Sequence, residues 1–147
     1  MILSRLVAGV LLALTCAQAC AADFRSIGAL QVVLYDAPSA KGGKRYIAPR
    51  GMPVEIVAHY GDWVKIRDAD GEFAWTESKG LSARRNVVVK ALSAKLRAAP
   101  DDNATILMTA DKGVLLELND PQATGWVSVR HQDGIAGFVR ASEIWGI

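Results

Sequence analysis

Apolar and polar residues alternate along Trp63-Val64-Lys65-Ile66-Arg67, and the alternation returns in Trp126-Val127-Ser128-Val129-Arg130. Successive side chains of a strand point to opposite faces, so Val64 and Ile66 share one face while Trp63, Lys65 and Arg67 share the other. Val127 and Val129 are set against Trp126, Ser128 and Arg130 in the same way. Each run leads to an Asp-Gly pair, Asp70-Gly71 or Asp133-Gly134, and then to a second run that contains Trp75 or Phe138. Glycine at that point supplies the positive φ of a tight turn. Each copy therefore predicts a β-hairpin with its aliphatic side chains turned to a core and its Trp on the opposite face.

The rest of the pattern predicts short strands over residues 31–35, 45–48 and 53–58, a helical turn over 78–81, and a strand over 85–89 that closes the first half. The second half repeats this with strands over 95–98, 106–109 and 114–118, its own hairpin, and a turn at 141–143. Pro38, Gly51 and Glu55 recur as Pro100, Gly113 and Glu117, 62 positions on. Trp63, Arg67, Asp70 and Gly71 recur as Trp126, Arg130, Asp133 and Gly134, 63 positions on, so the 119–125 loop holds one inserted residue. Such register is the mark of a duplication and gives two units, 23–89 and 90–147. A domain of about 60 residues buries only about 60% of its unfolded surface, so the units are expected to pack on each other. With no helical periodicity after the leader, the class is all-β, as small barrels or a sandwich.

Composition adds a compartment. Of 147 residues, 51% are hydrophobic and 22% charged, ordinary for a soluble chain once the N-terminus is set aside. Residues 1–22 read as a secretory signal: Arg5 is the basic start, 6–15 the apolar run, and small residues precede Asp23. The run is shorter than the ~20 apolar residues a membrane helix needs, and the mature chain is expected to hold no transmembrane segment. A periplasmic or secreted protein follows. The alternative is a lipoprotein anchored through Cys20, although Ala17-Gln18-Ala19 lacks the usual aliphatic residue three positions back. Cys16 leaves with the leader, so no disulfide pair is expected in the mature chain. With Arg5 gone, the 17 basic residues fall to 16 against 15 acidic, a formal +1 that argues against a nucleic-acid partner. Arg84-Arg85, the densest basic pair, reads as a solvated connector.

No catalytic or metal constellation emerges. Asp68, Asp70 and Glu77 mimic part of a calcium loop, but its first position would be Ile66, which has no ligand oxygen; the segment is a turn. His59 and His131 occupy non-equivalent positions and read as surface residues, and without Cys neither a zinc site nor a Cys–His nucleophile is expected. No Ser stands in a Gly-flanked elbow, so neither a cofactor nor an enzyme activity is expected. Trp63 and Trp126 are the candidate stacking platforms, with Lys65, Arg67 and Arg130 beside them on the polar face. The competing reading has these tryptophans packing between the units or in an oligomer. Trp75 and Phe138 are expected in the core or between units, and Trp145 as a tether for the C-terminus.

The segments 61–68, Asp70-Gly71, Ala74-Trp75 and 81–89 resemble the bacterial SH3-like domain, and 137–146 is similar to the end of the second repeat in exported two-repeat members. The resemblance implies two small five- to six-stranded barrels in an exported, non-catalytic protein. Its partner would be a cell-wall peptide or glycan, or an envelope protein. It also implies that Trp63 and Trp126 match the tryptophan that lines the peptide groove of eukaryotic relatives. No acidic, aromatic-rich loop precedes Trp63, so proline-rich recognition is not carried over, and Leu34-Tyr35-Asp36-Ala37-Pro38 replaces the Asn-x-Arg pattern of many members.

Overall fold

The computed structural model describes residues 21–28, 30–121 and 125–147. The leader reading, with Cys16 and Cys20, falls almost wholly outside them, as do residues 122–124 of the loop that carries the inserted residue. Among the described residues no helix is long and apolar enough to cross a membrane.

The first unit comprises β1 (Asp23–Ile27), β2 (Val32–Tyr35), β3 (Lys44–Ala48), β4 (Pro53–Tyr60), β5 (Trp63–Arg67), β6 (Phe73–Glu77), a 3-10 turn Ser78–Gly80 and β7 (Leu81–Ser82). The second repeats it as β8 (Asn86–Val89), β9 (Ser93–Arg97), β10 (Ile106–Asp111), β11 (Leu115–Leu118), β12 (Trp126–Arg130), β13 (Ala136–Arg140), a 3-10 turn Ala141–Glu143 and β14 (Ile144–Trp145). Each unit is one seven-stranded antiparallel sheet, ordered β3-β2-β6-β5-β4-β1-β7 and β10-β9-β13-β12-β11-β8-β14. The chain is all-β, and the two orders correspond strand for strand.

Each sheet has its own core. Leu34, Val54, Val64, Ile66 and Ala74 fill the first, and Leu96, Leu116, Val127, Val129 and Val139 the second. A sheet whose apolar face has no second layer over it must curl around that face, which gives two small barrels. Bulges help the strands bend; the register shifts between Ile56 and Ala58 on β4 and between Ile106 and Met108 on β10. Both hairpins form as the alternation predicts, with Gly71 at φ 85° and Gly134 at φ 90°.

Two strand assignments are corrected. Asp23–Ile27 is a strand that the pattern did not reveal, because its buried face carries Ser26 between Phe24 and Ile27. Ser26 is satisfied from the other unit, its Oγ accepting the Asn86 N–H at 3.3 Å. The segment 85–89 does not close the first unit; β8 opens the second, paired with β11 and β14. Counting β1, β8 and the two-residue closing strands brings each sheet to seven strands, where the resemblance implied five or six.

The units meet where β8 passes the first sheet. The Asn86 side chain donates from Nδ2 to the Gly51 carbonyl at 2.9 Å. Arg85 is half-buried, not a solvated connector: it donates to the Gly146 carbonyl at 2.9 Å and its guanidinium lies 5.5 Å from the Phe24 ring. Burial, then the nearby Arg25 cation, lowers its pKa. Trp145 packs on Phe24, so the C-terminal tryptophan tethers one unit to the other.

Candidate functional site

The outer face of the first hairpin begins at Trp63. Because Leu34 and Thr76 turn inward, their neighbours Tyr35 and Glu77 turn outward beside it. Trp63 and Tyr35 meet edge to face, centroids 5.6 Å apart and planes at 79°. The 3-10 turn brings Gly80 against Val32, so closely that a Cβ there would stand 2.9 Å from Val32 Cγ1. The result is a groove of about 230 Å³ walled by Val32, Val33, Tyr35 and Trp63 on the apolar side and edged by Glu77 and Lys79. Two aromatic rings and two valines offer stacking and apolar contact, and the Lys79–Glu77 pair (2.7 Å) leaves polar groups at the rim.

The corresponding place in the second unit is closed. By strand position Tyr35 becomes Arg97, Glu77 becomes Arg140, and Lys79 becomes Ser142. The Arg140 guanidinium lies 4.7 Å from the centroid of the Trp126 ring. Its Nε donates to Asp102 Oδ1 at 3.1 Å, and its Nη2 also bonds that carboxylate. Asp102 occupies the place of Ala40, so the first unit lacks the acid that would hold such a cation.

The other predicted residues divide. Lys65 lies with Nζ 5.1 Å from the Phe73 ring, and Arg67 is bound to Glu55 through Nε at 2.7 Å and through Nη2. Neither lines the groove. Arg130 faces Glu117 in register as Arg67 faces Glu55, yet forms no ion pair among the described residues and lies exposed on a different cleft. Trp75 and Phe138 are half-buried on the outer face rather than in the core, because Ala74, Thr76, Gly137 and Val139 take the inward positions. Among the described residues, the ring contacts of Trp63 with Tyr35 and of Trp126 with Arg140 lie within their own sheets rather than between the units. The alternation that turns Trp63 outward also places Tyr35, beside buried Leu34, on that face, and this was the available signal for the groove.

The hairpin turns are built from side chains at one equivalent position. Asp68 Oδ1 accepts the N–H groups of Asp70 (3.0 Å) and Glu72 (2.9 Å), while Oδ2 accepts the Tyr46 hydroxyl. In the second hairpin His131 stands there, its Nδ1 accepting the Asp133 N–H at 3.2 Å. With a side chain only 12% exposed, His131 is a turn residue, not the surface histidine expected. No three His, Cys, Asp or Glu among the described residues are grouped to hold a metal ion.

The family described as bacterial SH3 domain matches the chain twice, at residues 29–83 and 90–146. No curated protein matches it. Among solved structures, NlpC2 from Trichomonas vaginalis is 12% identical with a TM-score of 0.40, covering 86% of this chain and 48% of its own. An NlpC/P60 family protein from Bacillus cereus is 16% identical with a TM-score of 0.38, covering 84% of this chain and 56% of its own. The chain thus spans about half the length of the solved structures it matches.

Proposed function

The chain belongs to the bacterial SH3 domain family, and from that premise we propose that it is an exported, non-catalytic binding module of the cell envelope whose ligand is a peptide or glycan segment of the wall. The observation that carries this reading is the groove between Tyr35 and Trp63. Its rings are held by the sheet and turn at a fixed angle, so little conformational entropy is lost when a ligand stacks on them. Rim groups at Glu77 and Lys79 suit a ligand with amide or hydroxyl groups along an extended backbone. The first unit is the binding unit; in the second, Arg140 already covers the face of Trp126.

Co-sedimentation of the folded protein with isolated peptidoglycan tests the reading. Wild type and Trp126→Ala are expected to sediment with the wall material, and Trp63→Ala to stay in solution with an unchanged circular dichroism spectrum. Failure of the wild type to sediment overturns the wall-ligand assignment.

A further inference from the structure

Nine arginines lie among the described residues. Six are engaged: Arg25 with Asp23, Arg45 with Glu72, Arg67 with Glu55 and Arg140 with Asp102, while Arg85 and Arg97 donate to the Gly146 and Ala104 carbonyls. The side chains of the other three, Arg50, Arg84 and Arg130, have no ion pair or hydrogen-bond partner among the described residues. All three line a pair of adjoining hollows that share Arg50.

The pair lies at the junction of the two units, with lining residues from both. One lobe, about 550 Å³, is lined by Arg50 and Arg130 with His131 and Glu117. The other, about 270 Å³, is lined by Arg50 and Arg84 with Ser26 and Ser82. Arg50, Gly51 and Asn86 belong to both lobes, and the Asn86–Gly51 hydrogen bond fixes the floor between them. The three arginines come from separate parts of the chain: the turn after β3, the connector between units, and the end of β12. Glu117 is the one carboxylate among the lining residues. Its register partner Arg130 forms no ion pair with it among the described residues, although the same pair in the first unit, Glu55 and Arg67, is closed.

A formal charge of only +2 over the whole sequence does not account for three arginines, unpaired among the described residues, against one carboxylate at this junction. Guanidinium presents its donors in a planar fork that matches phosphate and carboxylate oxygens, and charge-assisted bonds of this kind are the stronger ones. We infer that the junction between the units is a binding site for a multivalent oxyanion, with phosphate or carboxylate groups grouped on one small molecule or chain segment. The site is separate from the Tyr35–Trp63 groove and stands or falls apart from it.

Calorimetric titration of the purified protein with tripolyphosphate and with citrate, at low and at physiological salt, tests the inference. Saturable binding of at least one is expected, weakened roughly tenfold or more by Arg50→Gln, Arg84→Gln or Arg130→Gln. The more tightly bound probe identifies the phosphate or carboxylate class. Lys41→Gln, an exposed cation outside both hollows, is expected to leave the affinity unchanged. Saturable binding of neither probe overturns the inference. So does an equal loss with Lys41→Gln, which would mean diffuse attraction to surface charge. All three arginines are exposed, so the Gln variants are expected to keep the wild-type circular dichroism spectrum.

Discussion

Phe24, near the start of the first unit, meets Trp145, near the end of the second, edge to face with ring centroids 5.1 Å apart and planes at 90°. Phe24 is only 6% exposed, so the contact is part of a desolvated seam and not a surface stacking. Trp145→Ala is expected to cost about 2 kcal/mol, less than truncation of a fully buried Trp because Trp145 is half-exposed. Denaturant midpoints read that cost. Combined with Phe24→Leu, the two losses should fall short of additivity by about 0.5–1.5 kcal/mol, the worth of an aromatic pair beyond its area. Full additivity would mean the rings act independently.

Tyr46 is expected to make stability sensitive to alkali. Burial first, and then its hydrogen bond to Asp68, raise the phenol above its ordinary value near 10. A raised folded pKa means the neutral form is favoured in the folded state. Its stabilising contribution is complete below about pH 10 and is lost as pH rises above that, where the unfolded chain releases the proton first. The stability gap between wild type and Tyr46→Phe should therefore hold to about pH 10 and shrink above it in urea unfolding. A constant gap would exclude the linkage.

Arg140 is expected to act as a removable cover. Its ion pair with Asp102 is exposed on both sides and is worth at most about 1 kcal/mol. Its contact with the Trp126 ring adds about 0.5–1 kcal/mol. In a Trp63→Phe background, Arg140→Ala should increase acrylamide quenching of tryptophan fluorescence while leaving the fold intact. Asp102→Ala should do so to a smaller degree, since the cation then keeps only its ring contact. Unchanged quenching in both variants would show that Trp126 is screened by something else.

The hairpins, the repeat and the outward direction of Trp63 and Trp126 were legible because period-two alternation reports faces directly. Strand partnership was less legible. Asn86–Val89 alternates equally well as the last strand of one unit or the first of the next, and only pairing with Leu115–Glu117 decides it. Asp23–Ile27 was hidden by Ser26, a buried polar residue whose partner lies 60 positions away. The candidate site was half-visible. Trp63 was found from its own strand, but Val32, Val33 and Lys79 reach the groove from other elements, and alternation within one strand does not say which strands adjoin. Lys65 and Arg67 share the face of Trp63 yet are spent on Phe73 and Glu55, partners that spacing does not show.

The passage from β7 to β8 leaves only residues 83–85 outside strands, and Arg85 is itself tied down. Three extended residues reach about 10 Å at most, so the second unit has no slack with which to search for a separate target. The protein therefore does not behave as two beads on a string, whose joint avidity is set by linker statistics. Groove and junction are carried at a fixed spacing. If both bind as proposed, a polymer long enough to touch both would meet the second with no further loss of protein chain entropy.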